Sequence, residues 1–172
     1  LKQTKEDDSK YIFEELEQNK KYNIKVIAKA ENGQTSEVTA EQTTGSIANL
    51  TAGDIVFTYT VDGKIIDKST WTNGTVKVSA KINPEIDMTG LKIQTSKDGK
   101  NYEDADTQSF TENGTMYVVL TDGKNYGGSA GGTVTNIDKT RPIITEATAT
   151  TNSISIKATD EESGIAGYAV TK

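Results

Sequence analysis

Apolar residues alternate with polar ones along most of the chain. Tyr22, Ile24, Val26, Ala28 and Ala30 stand at every second position. So do Ile55, Phe57, Tyr59 and Val61, then Val76, Val78, Ala80 and Ile82, and also Leu91 and Ile93. A period of two sends successive side chains to opposite faces, so each run predicts a half-buried strand. Between the runs stand Asn-Gly at 32–33, 73–74 and 113–114, and Asp-Gly at 62–63, 98–99 and 122–123. These pairs supply the positive φ that tight hairpin turns need. Strands punctuated in this way predict antiparallel sheets stacked as sandwiches. One stretch reads two ways: Ser9 to Lys21 is rich in Glu and Lys. Tyr11, Ile12, Phe13 and Leu16 do not complete a helical stripe, so a short strand at Tyr11–Glu14 and a loop through Glu17–Lys20 are expected.

Two boundaries interrupt the pattern. The first is the polar exit Thr43-Thr44-Gly45-Ser46, and the second is Asp138-Lys139-Thr140-Arg141-Pro142. Pro142 has no amide to give to a ladder and biases Arg141 to an extended backbone. The chain therefore divides into 1–46, 47–138 and 139–172. The central piece has the length of one sandwich, whereas neither flanking piece is long enough to bury an adequate core by itself. The run Gly127-Gly128-Ser129-Ala130-Gly131-Gly132 is expected to be a loose loop before the last central strand.

Composition narrows the chemistry. Hydrophobic residues are 33% of the 172, low for one large core but tolerable in small sandwiches whose strands show one face to water. The formal charge of −6 argues against a nucleic-acid partner, which would need a basic stripe. Without Cys there is neither a disulfide framework nor a Cys zinc site, and without His the commonest general base and transition-metal ligand are missing. No run approaches the ~20 apolar residues of a membrane-spanning helix. The start at Leu1 reads as that of an internal piece of a longer protein.

The stretches Tyr11-Ile12-Phe13-Glu14-Glu15-Leu16, Lys21 to Val26, and Ala30 to Ser36 resemble the second half of a fibronectin type III domain. The resemblance implies that Leu16 precedes the loop before the penultimate strand. It implies that Tyr22 opens that strand and ties the loop backbone through its hydroxyl. Ser69 to Val76 with Trp71, Ile93 to Gly99, Glu112 to Val118 and Asn136 to Pro142 resemble immunoglobulin-like repeats of bacterial surface proteins. Asp160 to Tyr168 resembles the opening of another fibronectin-like domain. The resemblance implies an all-β chain of immunoglobulin-like and fibronectin type III sandwiches in tandem. It also implies a bacterial, extracellular or cell-wall location, and Trp71 capping the sandwich at the entry to a core strand.

The candidate sites follow. Trp71, Leu16, Tyr22 and Pro142 are expected to be structural. Tyr102 and Tyr126, in predicted loops, are the candidates for a glycan or peptide groove. The acidic runs Glu6-Asp7-Asp8, Glu103-Asp104-Asp106 and Asp160-Glu161-Glu162 lack the alternating spacing of a calcium loop and read as solvated surface. Asn136 is the candidate for an isopeptide crosslink, but no Lys lies in Ile55–Val61, and a solvent-facing Asn is expected. The Asn-x-Thr triplets at 49, 73 and 113 read as turn chemistry. No catalytic residue, cofactor or metal is expected. The expected role is a non-catalytic spacer or stalk that displays a distal functional domain. The alternatives are an adhesive module for a host or cell-wall glycan or protein, and an accessory region of a large secreted carbohydrate-active enzyme. The expected partners are neighbouring domains of the same protein. Head-to-tail self-association through the incomplete terminal pieces is a further expectation, with truncation of missing halves as its alternative. Nucleic acid and membrane insertion are not expected.

Overall fold

The computed structural model describes residues 2–5, 11–169 and 171. The chain is all-β, with several antiparallel sheets. Strand β1 (Lys2–Lys5) pairs with β2 (Tyr11–Glu14), and β3 (Lys21–Lys29) with β4 (Thr35–Thr43). The ambiguous acidic stretch thus forms the short strand, not a helix, and Asn19 turns the chain with φ 53°. The acidic run Glu6-Asp7-Asp8 lies outside the described residues.

Seven strands follow: β5 (Ile55–Val61), β6 (Lys64–Ile65), β7 (Val76–Ile82), β8 (Lys92–Ser96), β9 (Thr107–Phe110), β10 (Gly114–Thr121) and β11 (Ala130–Val134). They form one sheet in the order β6-β5-β7-β9 and a second in the order β11-β10-β8. The two share one apolar core. Ile55, Tyr59, Val76, Val78 and Phe110 come from the first sheet, and Met116, Val118, Leu120 and Val134 from the second. Leu50 and Ile137 close the ends. Each fully buried aliphatic side chain stabilises this unit by roughly 1.5–3 kcal/mol. Beyond it, β12 (Ile143–Ala149) and β13 (Ile154–Thr159) form a separate antiparallel pair.

Alternation in β3 and β4 does not lead to burial. Val26, Ile27 and Val38 are all more than half exposed, and so are Ile143, Ile144 and Ile154 in the last hairpin. Period two defines an apolar face, but a face is buried only where another layer covers it. At the start of β3, Ile12 and Phe13 of β2 share a cavity of about 530 Å³ with the half-buried Tyr22 and Ile24, and the apolar residues farther along the hairpin stay in water.

Four of the six Gly-containing turn pairs have the expected positive φ, at Gly33, Gly63, Gly99 and Gly123. Asn73-Gly74 and Asn113-Gly114 do not. Gly114 opens β10, and the Asn113 amide clasps Ile137 from the side. Its Oδ1 accepts the Ile137 amide at 2.9 Å and its Nδ2 donates to the Ile137 carbonyl at 3.1 Å.

The glycine run 127–132 is not a loose loop. Leu50 N donates to the Gly128 carbonyl at 3.0 Å, and Gly128 N donates to Asn49 Oδ1 at 2.6 Å. Gly131 and Gly132 lie within β11, where a Cβ on Gly132 would stand 2.6 Å from the Phe57 ring. Absence of side chains here permits close packing, which a run of glycines signals as readily as it signals flexibility.

Trp71 is not in the core. It is 42% exposed. A parallel bridge sets Thr72 against the core residue Ile137. Period two counted back from the inward Val76 places Thr72 on the inner side and Trp71 on the outer one.

Candidate functional site

Side chains at the two ends of the central two-sheet unit hold the neighbouring segments. On the amino-terminal side, the connection from β2 to β3 is shaped by its own bonds. Glu15 has φ 59°, and the Tyr22 hydroxyl accepts the Glu17 amide at 3.0 Å. Thr44 Oγ1 accepts the Lys20 amide at 3.1 Å and donates to the Glu17 carbonyl at 2.5 Å. This turn meets the loop after β10. Lys124 Nζ donates to the Glu15 carbonyl at 2.6 Å, and Asn125 Nδ2 to the Leu16 carbonyl at 3.2 Å. Gln18 works in both directions: its Nε2 donates to the Tyr126 carbonyl at 3.2 Å and its Oε1 accepts the Ile47 amide at 3.0 Å. Leu16 and Gln18 are half-buried by this contact. Tyr22 and Leu16 therefore lie together, the first fixing the turn that the second presents.

On the carboxyl-terminal side the anchor is Asp138, only 6% exposed. Its backbone amide donates to the Thr72 carbonyl at 2.9 Å, which extends the parallel bridge. Its carboxylate then reaches outward: Oδ1 accepts the Thr140 amide at 2.7 Å and Oδ2 the Ser163 amide at 3.1 Å. The bonds from Ser163 and from the Thr140 amide hold the Asp138 carboxyl well below the ordinary range, at about 2. Asp160 folds the same loop, its Oδ1 accepting the Ser163 amide at 2.9 Å and the Gly164 amide at 3.0 Å. The negative charge of Asp138 raises the Glu162 carboxyl. Trp71 and Pro142 line a cavity of about 220 Å³ here, together with Asp138, Asp160 and Ser163.

Tyr102 and Tyr126, expected in separate loops, come together, with ring centroids 6.3 Å apart and planes inclined by 37°. Asn136 is 2% exposed and not solvent-facing. Its Nδ2 donates to the Thr70 carbonyl at 2.6 Å, while its Oδ1 has no hydrogen-bond partner. The isolated parallel pairing at Thr72 and Ile137 draws this stretch inward, which strand alternation alone does not reveal. The run at 103–106 is spent on cross-strand contacts. Asp104 accepts from Lys92 at 2.5 Å and from Gln94, and Glu103 accepts from Gln108 at 2.5 Å. Among the described residues no three metal-ligating side chains stand close enough to hold an ion.

Lys124, Asn125 and Gln18 are functional candidates that sequence reasoning passed over. A signal was present: Asp-Gly-Lys-Asn-Tyr occurs twice, at 98–102 and 122–126. Compared with family models, with curated proteins and with solved structures, the chain finds no match.

Proposed function

We propose that this chain is a non-catalytic spacer of a bacterial surface protein, in which immunoglobulin-like and fibronectin-like sandwiches follow one another at set spacing. The observation that carries the reading is the fastening at both ends of the central unit. Lys124 and Asn125 hold the 15–16 carbonyls on one side, and Asp138 holds the 163 amide on the other. Side-chain bonds to a neighbour's backbone cost less than a large apolar interface and still fix orientation. Interfaces between domains of one chain are otherwise small and permit relative motion. A spacer needs that restriction, because display at a distance fails if each link bends freely. The central core supplies resistance to unfolding, and the fastened ends supply direction.

Small-angle scattering tests this. The wild-type chain is expected to fit a single extended particle. The double variant Lys124→Ala/Asn125→Ala, which alters surface groups and leaves the core intact, is expected to show a broader distribution of maximum dimension. Equal flexibility in both proteins would overturn the reading.

A further inference from the structure

The two copies of Asp-Gly-Lys-Asn-Tyr fold alike. One Asp oxygen accepts the amides of Lys and Asn: Lys100 and Asn101 at 2.8 Å each, Lys124 and Asn125 at 2.8 and 2.7 Å. The other oxygen accepts the Asn side chain, from Asn101 at 2.6 Å and from Asn125 at 2.9 Å. An upstream hydroxyl accepts the glycine amide, Ser96 from Gly99 at 3.0 Å and Thr121 from Gly123 at 2.9 Å. The bonds converging on Asp98, from the Asn101 amide, the Ser96 hydroxyl and the Lys100 amide, hold its carboxyl well below the ordinary range. The loop frame is therefore charged and firm, and the two frames leave opposite ends of the antiparallel β8–β10 pair, with only their tyrosine rings meeting between them.

Each frame leaves two donors pointing away from its Asp: the lysine ammonium and the second N–H of the Asn amide. In the 122–126 loop both are taken by the carbonyls of Glu15 and Leu16, and Asn125 is half-buried. In the 98–102 loop neither has a partner among the described residues, and Lys100 and Asn101 are exposed. A cavity of about 520 Å³ beside the occupied loop is lined by Asp122 and Asn125 on one wall and by Leu16 and Gln18 on another. A cavity of about 430 Å³ beside the free loop is lined by Asp98, Asn101 and Tyr102, with no segment from outside the 96–108 stretch facing them.

We propose that the 98–102 loop is a second docking point, which takes a tight turn of another polypeptide. That turn would present two successive backbone carbonyls, as Glu15 and Leu16 do. The Asn101 amide, held by Asp98, fixes the place of one acceptor, the Lys100 ammonium on its flexible stem reaches a second beside it, and a turn entered through a left-handed residue supplies both. Glu15, at φ 59°, is such a residue. A saccharide is held by donors and acceptors together, whereas both Asp98 oxygens are already engaged, Oδ1 by the Lys100 and Asn101 amides and the Ser96 hydroxyl and Oδ2 by the Asn101 side chain, so the exposed donors are matched best by carbonyls. The inference does not depend on the spacer reading.

The test is an amide NMR titration of the isotope-labelled full chain with a backbone-cyclised peptide carrying residues 13–22 as a turn. Saturable shifts are expected at residues 98–102. Affinity is expected to fall at least fivefold in Lys100→Ala, whose side chain takes no part in folding the loop, and in Asn101→Ala. Lys64→Ala, away from the loop, is expected to bind as wild type. Three results would each overturn the proposal. One is no shift at 98–102 with millimolar peptide, and another is shifts confined to 122–126. The third is a response at 98–102 to a maltohexaose probe but not to the peptide.

Discussion

An indole that is two-fifths exposed contributes little to a core from which its strand position turns it away. Trp71 is 42% exposed, whereas Leu120 is fully buried between the two sheets. Trp71→Ala is accordingly expected to cost less than about 1 kcal/mol in urea unfolding. Leu120→Ala is expected to cost about 2–5 kcal/mol, from lost transfer free energy and the cavity left behind. Equal losses for the two variants would show that the indole is buried in solution. Aromatic character alone says only that a residue has much surface to hide. Whether it hides depends on which side of the strand it occupies, and the parallel pairing of Thr72 with Ile137 decides that. Tyr22 was legible by contrast only through the family resemblance, which implied that its hydroxyl ties the loop backbone, and the bond it accepts comes from the Glu17 amide.

At the scale of elements, period two was enough to mark β3, β5 and β7 within a residue of their ends, since local alternation is the whole signal for a strand. It was not enough to say that β3 and β4 leave their apolar side chains in water, because that depends on a covering layer elsewhere in space. Glycine runs were misleading for a similar reason. Strand β11 carries Gly132 because the Phe57 ring from the facing sheet presses on the backbone there, while Gly131 stands against Thr115 and the Met116 carbonyl of the neighbouring strand. Gly132→Val is expected to destabilise the central unit by about 1–3 kcal/mol through overpacking. Phe57→Ala should recover part of that loss in the double variant, and a thermal-melt double-mutant cycle measures the coupling. Strictly additive losses would mean that the ring and the glycine do not meet.

At the scale of the whole molecule, the two fastenings differ in chemistry and so in their response to pH. The amino-terminal one joins a lysine and two amides to backbone carbonyls, with Asp122 beneath it accepting the Lys124 and Asn125 amides, and none of these bonds across the junction is made by a carboxylate. The carboxyl-terminal one rests on Asp138, whose carboxyl is held at about 2 in the folded chain against about 3.9 when free. A carboxyl lowered by folding stabilises above its free value. That stabilisation is lost as pH falls from about 4 through about 2. Glu162, raised by the charge of Asp138, acts in the opposite sense: its ionised form opposes the contact, and acid relieves it. The Thr140 amide resonance, bonded to Asp138 Oδ1, is therefore expected to hold steady down to about pH 4 and to move below it. Movement of the Thr140 resonance centred near pH 4 would mean that Asp138 is not held by the Ser163 and Thr140 bonds.

The central claim is that both ends of the two-sheet unit are fastened, and the absence of Cys makes it open to direct measurement. Spin labels can be placed at Glu31→Cys, on the tip of the β3–β4 hairpin, and at Asn152→Cys, between β12 and β13. Pulsed electron resonance then gives the distribution of distances between them. A single narrow peak is predicted for the otherwise wild-type chain, widening when Lys124→Ala/Asn125→Ala or Asp138→Ala is added. A distribution already as broad without those substitutions would contradict the account.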